Sequence, residues 1–593
     1  MKYYSSIFYI LFLFTSLSGA KAQEIQGDLK TWHKVELSFN GPASSEYDTL
    51  NPFLDYRLDV KFEHIASKTS ITIPGFYAAD GNSAESSARS GNIWQVRFSP
   101  SLEGEWTYVA SFVTGKNIAV ADDASGGKTT SFDGAKGTLT ISKSDKTGRD
   151  LRGKGRLVNK KNHYLKFKGS NELFIKGGAN SPENLLGYYE FDQTPPKHKY
   201  APHAKDYKEG DPTWQGGKGK NIIGALNYLS STGTNAVYFL TMNVMGDGKD
   251  VYPWTEYHER YRFNCSKLDQ WEIVFDHMDK IGLVKHVITQ ETENENLLDI
   301  GYVGIQRKLY YRELIARFGH HPGLVWNMGE ENGITSWSPI GQTAKQRNAM
   351  ITYMKNLDPY KNPVFIHTLP SLKDHENTLT PLLDNKELDG ISIQIHHLQD
   401  AYVATKKWRD ESAKSGNPWV MWVDEIGPAH AGTKPDEYPT QQDTVRKEVM
   451  WPNLMAGGAG FEHYFGYKVA HNDLNCEDWR SRDRIWKMTR FATDFFVKYV
   501  DFENLSPNDE LIQGIEGHCL GEKGKSYVVY IKRGESGQID LGEAGGTFNV
   551  SWFNPRTGGA LKKGKRIKGN GWVSIGNAPA ADGEDWAVLI KKK

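Results

Sequence analysis

The stretch "LVWNMGEEN", Leu324–Asn332, is an apolar, β-prone run that ends in two adjacent carboxylates, Glu330 and Glu331, with Gly329 before them. A second stretch has the same design: "PWVMWVDEIGPAH", Pro418–His430, runs apolar into Asp424 and Glu425. A short run that is apolar at every position reads as a strand covered on both faces, as in a parallel sheet wrapped by helices. A glycine at the exit allows the sharp turn that brings the following side chains over the end of the strand.

Reading outward from these two runs, apolar segments alternate with amphipathic ones. Strands are expected at Leu173–Gly177, Asn235–Leu240, Lys285–Ile288, Leu324–Asn327, Pro363–His367, Gly390–Ile395, Trp419–Val423 and Gly460–Phe465. Helical patterns such as "LDQWEIVFDHMDKIG" and "QRKLYYRELIARFG" lie between them, and the pattern is weakest after the fifth strand. Eight strands alternating with helices predict an α/β fold, a (β/α)8 TIM barrel over residues 155–500. Closure buries the strands and gathers their C-terminal ends into one mouth. "LVWN" is then the fourth strand and "PWVMWV" the seventh, nearly opposite each other. Two carboxylates facing across a cleft are what glycosidic bond hydrolysis requires, one as proton donor and the other as nucleophile or base.

The flanks have a different texture. Residues 23–145 contain short alternating runs such as "RLDVKFEH" and "IWQVRFSP" between turn residues, which predicts an N-terminal β-sandwich. A Lys/Gly/Arg-rich connector, "SDKTGRDLRGKGR", follows. Residues 501–593 again show short strands and turns, predicting a small C-terminal antiparallel β-sandwich. Period-two alternation in the flanks points Trp32, Trp94, Trp106, Trp552, Trp572 and Trp586 mostly into sandwich cores rather than onto a sugar-stacking face. Residues 1–22 read as a signal peptide: Lys2, an apolar run from Ile7 to Phe14, then Ala20-Lys21-Ala22 before Gln23. An uncleaved anchor is the alternative. Cleavage implies a secreted or periplasmic protein with no membrane span in the mature chain. Lys plus Arg and Asp plus Glu are both 72, so the charge balance gives no support for a basic footprint for nucleic acid, and none is expected as a partner. Cys265, Cys476 and Cys519 allow at most one bridge and make no metal-binding spacing. The oligomeric state is left open.

"WNMGEEN" followed by "WVDEIG" resembles the fourth- and seventh-strand signatures of the clan A glycoside hydrolases. The resemblance implies a retaining glycosidase with Glu331 as acid/base and Glu425 as nucleophile; neither a cofactor nor a metal is expected. The clan has Asn before its acid/base, and this chain has Glu330 there. Either Glu330 takes over a substrate contact, or Glu330 is itself the acid. The whole chain also resembles a secreted bacterial group with an N-terminal sandwich of unknown function, a clan-A-like barrel and a C-terminal β domain named for the collagen-binding domain of a collagenase. "NPFLDYRLDVKF", "GFYAADG", "VRFSPSLEGEWTY", "GGAGFEHYFGY", "DWRSRDRIW" and "VSWFNPRTGG" carry that likeness. HExxH is absent from the sequence, which argues against the collagenase label.

Other strand-end residues complete a candidate site for a polysaccharide or oligosaccharide substrate. They are Asn243, Asp247 and Trp254 after the second strand, Glu291 after the third, Asn327 and Glu330 at the fourth, His396 and His397 after the sixth, and Glu462 and Tyr464 at the eighth. The clan resemblance implies that His396 sits beside the nucleophile. "NDLNCEDWRSRD", Asn472–Asp483, carries calcium-friendly oxygens without the EF-hand spacing. The competing reading is a non-catalytic carbohydrate- or matrix-binding protein on a degenerate glycosidase barrel, against which both carboxylate positions are occupied.

Overall fold

The computed structural model describes residues 24–593 except 535 and 544, so the expected signal peptide lies outside the described residues. Two antiparallel sheets form the N-terminal sandwich. Its first sheet is built on the pair Val35–Ser45 and Ser90–Phe98, its second on the pair Tyr56–His64 and Gly104–Thr114. "YRLDVKFEH" alternates buried and partly exposed positions along its length, as a strand with one covered face must. The inward set is aromatic: Phe112 stacks on Phe132 at 4.3 Å, and Phe62 on Phe98 at 4.0 Å.

The centre is a closed barrel of eight parallel strands in sequential order: Lys176–Ala179, Ala236–Leu240, Val284–Ile288, Leu324–Asn327, Val364–His367, Gly390–Ile395, Val420–Ile426 and Gly460–His463. The first strand begins three residues later than the sequence suggests. Leu173–Phe174 belongs instead to a three-stranded sheet with Leu157–Asn159 and Leu165–Phe167. The true first strand, Lys-Gly-Gly-Ala, has no apolar signature because its neighbours leave no room: a Cβ on Gly178 would come within 2.7 Å of the Glu462 side chain. The segment after the fifth strand is helical over Leu372–Leu379, eight residues capped by Ser371. No helix among the described residues is long and apolar enough to cross a membrane.

The sandwich packs on the helices that follow the second and third strands, Cys265–Ile281 and Ile305–Phe318. Arg97 reaches Asp269 at 3.1 Å, and Arg312 donates to Leu58 O and Asp59, each at 2.8 Å. The C-terminal part forms a six-stranded and a three-stranded antiparallel sheet with a core of its own. It is docked by a fully buried bidentate pair, Arg446 to Asp585 at 2.8 and 2.9 Å, with the Tyr530 hydroxyl donating to the same carboxylate at 2.8 Å. Removing one partner of such a pair costs about 3–5 kcal/mol. Trp94, Trp106, Trp552 and Trp586 are at most 2% exposed and Trp32 is 9%, while Trp572 is 45% exposed. The three cysteines are free and buried.

Candidate active site

At the fourth strand's exit Gly329 has φ +149° and Glu331 itself has the left-handed φ of 41°. A non-glycine residue in that region costs of order 1–3 kcal/mol and must be held by its surroundings. Here Asn332 Nδ2 donates to Gly329 O at 2.6 Å and to His367 O at 3.1 Å, while the Glu331 N–H donates to His367 Nδ1 at 3.1 Å. The turn aims Glu331 at the sixth strand, where Gln394 Nε2 donates to its Oε1 at 2.8 Å.

The seventh strand delivers Glu425 by a register shift. Val423 pairs with Ile393, but the next partner of Gln394 is Glu425, so Asp424 is an extra residue on its strand. Such a bulge breaks strict alternation, and both successive carboxylates are buried. Asp424 accepts an ion pair from Lys176 at 2.5 Å and a hydrogen bond from Ser392. Glu425 Oε2 lies 3.7 Å from His367 Nε2. Because His367 Nδ1 accepts from the Glu331 N–H, its proton is on Nε2, the nitrogen nearest Glu425. Burial depresses this imidazole to about 3, so it is neutral, with its Nε2 facing Glu425 beyond hydrogen-bond distance.

The mouth is crowded with acids. One carboxylate oxygen from each of Glu183, Glu291 and Glu330 lies within 4.8 Å of the others. Asp473 accepts from the Glu183 N–H at 3.1 Å. Among the described residues, no lysine or arginine lies within salt-bridge distance of Glu183, Glu291, Glu330, Glu331, Glu425 or Asp473. Burial therefore dominates, and every one of these groups is pushed up. Glu331 and Asp473 reach about 7, and Glu183, Glu291, Glu330 and Glu425 lie well above the usual carboxylate range. On Glu425 the charge of Glu331 is the largest effect after burial. One oxygen each of Glu330 and Glu425 is buried without a hydrogen-bond partner. Tyr464 is 8% exposed, its phenol pushed up by burial and then by Glu425.

Several expected contacts lie elsewhere. Glu462 points into the barrel, paired with Lys176 at 3.0 Å and His286 at 3.1 Å, because the glycine-lined first strand leaves it space there. Asn327 donates to His286 Nε2 at 3.0 Å, one layer below the mouth. Trp254 is fully buried beside Tyr310 and Arg260 and has no face free for a sugar. Asn243 staples its own loop by accepting from the Asp250 N–H at 3.1 Å. Asp247 is exposed at the rim, and its charge raises Glu291 and Glu331. His396 and His397 are exposed and stack edge-on with each other at 4.6 Å. The sixth-strand residue at the carboxylates is Gln394 instead.

Gln394 and Glu183 were not singled out by the sequence, and Asp473 stood out only as part of the calcium-friendly stretch Asn472–Asp483. Gln394 had a usable signal: it is the polar residue in the apolar strand "GISIQI", on the same face as Ser392. Glu183 sits in the loop after the first strand, where no pattern marks it.

Residues 28–113 match a family model described as "Domain of unknown function (DUF5060)". Residues 507–591 match one described as "Putative collagen-binding domain of a collagenase". A search of curated proteins returned no match. Among solved structures, the chain is similar to a "putative glycoside hydrolase" from Bacteroides vulgatus, with a TM-score of 0.64 and 16% identity over 96% of this chain and 100% of that one. It is also similar to a protein named "Glycoside hydrolase", with a TM-score of 0.52 and 14% identity over 76% of this chain and 99% of that one. A third is a family 5 glycoside hydrolase from Bacteroides vulgatus, with a TM-score of 0.51 and 14% identity over 75% and 94%. The fold so defined is a closed (β/α)8 barrel like that of these solved structures, with a DUF5060-like sandwich before it and a collagen-binding-like β domain after it.

Proposed function

We propose that the protein is a retaining glycoside hydrolase acting on a polysaccharide or oligosaccharide, with Glu331 as acid/base and Glu425 as nucleophile. The observation that carries this reading is the pair of side chains, His367 and Gln394, set between the Glu331 turn and Glu425. His367 binds the Glu331 backbone through one nitrogen and presents the other to Glu425. Gln394 binds the Glu331 carboxylate and favours the ionised form of Glu425.

The chemistry follows from this asymmetry. Glu331, with a pKa of about 7, holds a proton near neutrality and donates it to the departing oxygen. With Glu331 protonated, the largest like charge acting on Glu425 disappears, so Glu425 ionises more easily and attacks the anomeric carbon. Water then resolves the glycosyl-enzyme with Glu331 as base. Glu330 faces Glu183 and Glu291 rather than Gln394, which suits a contact to the sugar in place of the clan's Asn.

Proton NMR of the first-formed product tests the mechanism. Retention is expected, and an inverted anomer appearing first removes Glu425 from the nucleophile role. We also propose export through residues 1–22, leaving a secreted or periplasmic protein. Intact mass of the mature protein, starting at Gln23, checks this.

A further inference from the structure

On the side of the barrel that meets the N-terminal sandwich, four potential metal ligands converge. Glu272 and Asp276 stand one turn apart on Cys265–Ile281, and His320 and His321 form the turn before the fourth strand. One ligand atom from each lies within 4.8 Å of all the others. Ligands held at 2.0–2.1 Å from a tetrahedral ion lie about 3.3 Å apart, so small movements would close this set.

Two independent features point to an ion. The first is His320, which is 2% exposed and makes no hydrogen bond through either ring nitrogen, although Nε2 sits 3.1 Å from Glu272 Oε1. A buried imidazole aimed at a carboxylate without bonding to it is an open donor. The second is the support behind His321. Its Nδ1 lies 2.6 Å from Asp279 Oδ2, which leaves Nε2 facing Glu272 Oε2 at 3.2 Å. A carboxylate behind one ring nitrogen, fixing the tautomer so that the other faces the site, is the usual outer partner of a metal-binding histidine.

Lys34, from the sandwich, spans Glu272 at 2.8 Å and Asp276, so its ammonium stands where a cation belongs. Its side chain also lines a cavity of about 400 Å³ between Trp32, Asp276 and His320, into which it can withdraw.

We propose that Glu272, Asp276, His320 and His321 form a divalent transition-metal site, best matched by Zn2+, with Lys34 as the displaceable cation. Two nitrogen and two oxygen donors suit that ion. The site ties the helix after the second strand to the turn before the fourth, at the opposite end of the barrel from the mouth.

The test uses the full chain, dialysed against a chelator and titrated with Zn2+ by calorimetry, with Co2+ absorption as a second readout. One ion per chain with a tetrahedral Co2+ spectrum is expected. His320→Gln should weaken binding by about tenfold or more, and Lys34→Met should tighten it by about tenfold. Because Lys34→Met predicts a gain, misfolding cannot imitate it. Binding below one equivalent, binding insensitive to His320→Gln, or no gain in Lys34→Met would each overturn the site.

Discussion

Asp424 and Glu425 are consecutive, equally buried carboxylates on one strand, and they live in opposite electrostatic worlds. Asp424 belongs to the barrel floor, where Lys176 pairs with it and with Glu462, and His286 links Glu462 to Asn327. Glu425 belongs to the mouth, where the charges acting on it are those of other acids. A buried carboxylate without a partner is costly, and a chain evolved for stability alone would have paired both. The floor shows that this barrel can pair its acids. The mouth leaves them unpaired, as a site must if it is to hold a proton near pH 7 and a nucleophile beside it.

The largest effect is expected from Glu425→Gln. Turnover on any glycoside should fall by about 10⁴-fold or more, since the proposed nucleophile is removed. Stability should hold or rise, because the change removes a buried charge with no partner. A variant that loses both activity and melting temperature would mean that Glu425 is structural, like its neighbour. Lys176→Met should do the reverse. It strands Asp424 and Glu462 in the interior and should cost about 3–5 kcal/mol in denaturant unfolding. Little loss there would show that the floor is not held by its ion pair.

Glu331→Gln sharpens the contrast inside the mouth. Hydrolysis of substrates with poor leaving groups should drop by about 10²–10⁴, while activated aryl glycosides, which need no proton, are largely spared. Glu330→Gln should weaken binding and turnover together, and the converse pattern would make Glu330 the acid. The same variant reports on pH. The Glu331 pKa is raised by folding, from 4.5 to about 7. Its stabilising contribution is therefore full below about pH 4.5 and is lost as pH rises through about 7. Glu331→Gln has no such slope, so it should gain on the wild type across that window by on the order of 1–3 kcal/mol. Paired urea melts at pH 4.5 and 7.5 measure it.

Much of this was legible in the sequence, and the reasons are physical. "LVWN" and "PWVMWV" are buried on both faces, and a doubly covered strand leaves no ambiguity of period. "KGGA" was not legible, because close approach of neighbouring side chains selects for small residues with poor strand propensity. The fourth-strand acids announced themselves through an adjacent glycine. The roles of Glu462 and Trp254 did not, since position at a strand end says nothing of which way a side chain turns. The bulge that frees Asp424 from alternation leaves no local trace, so the division between floor and mouth is visible only in the fold.

The smallest effect lies at the rim, at Asp247. This exposed carboxylate raises Glu331 through space, without a hydrogen bond. If the mouth is tuned by uncompensated charge, Asp247→Asn should lower the alkaline limb of the pH–rate profile by a few tenths of a unit, with kcat at the optimum nearly unchanged. The shift should shrink at about 1 M salt, where the screening length is about 3 Å, because the rim is wet. Burial, which salt does not reach, should keep most of the Glu331 shift in place under the same conditions. A limb that moves fully back toward the ordinary carboxylate range in salt would mean that long-range repulsion, rather than burial, sets the acid. The contrast between mouth and floor would then be one of surface charge and not of desolvation.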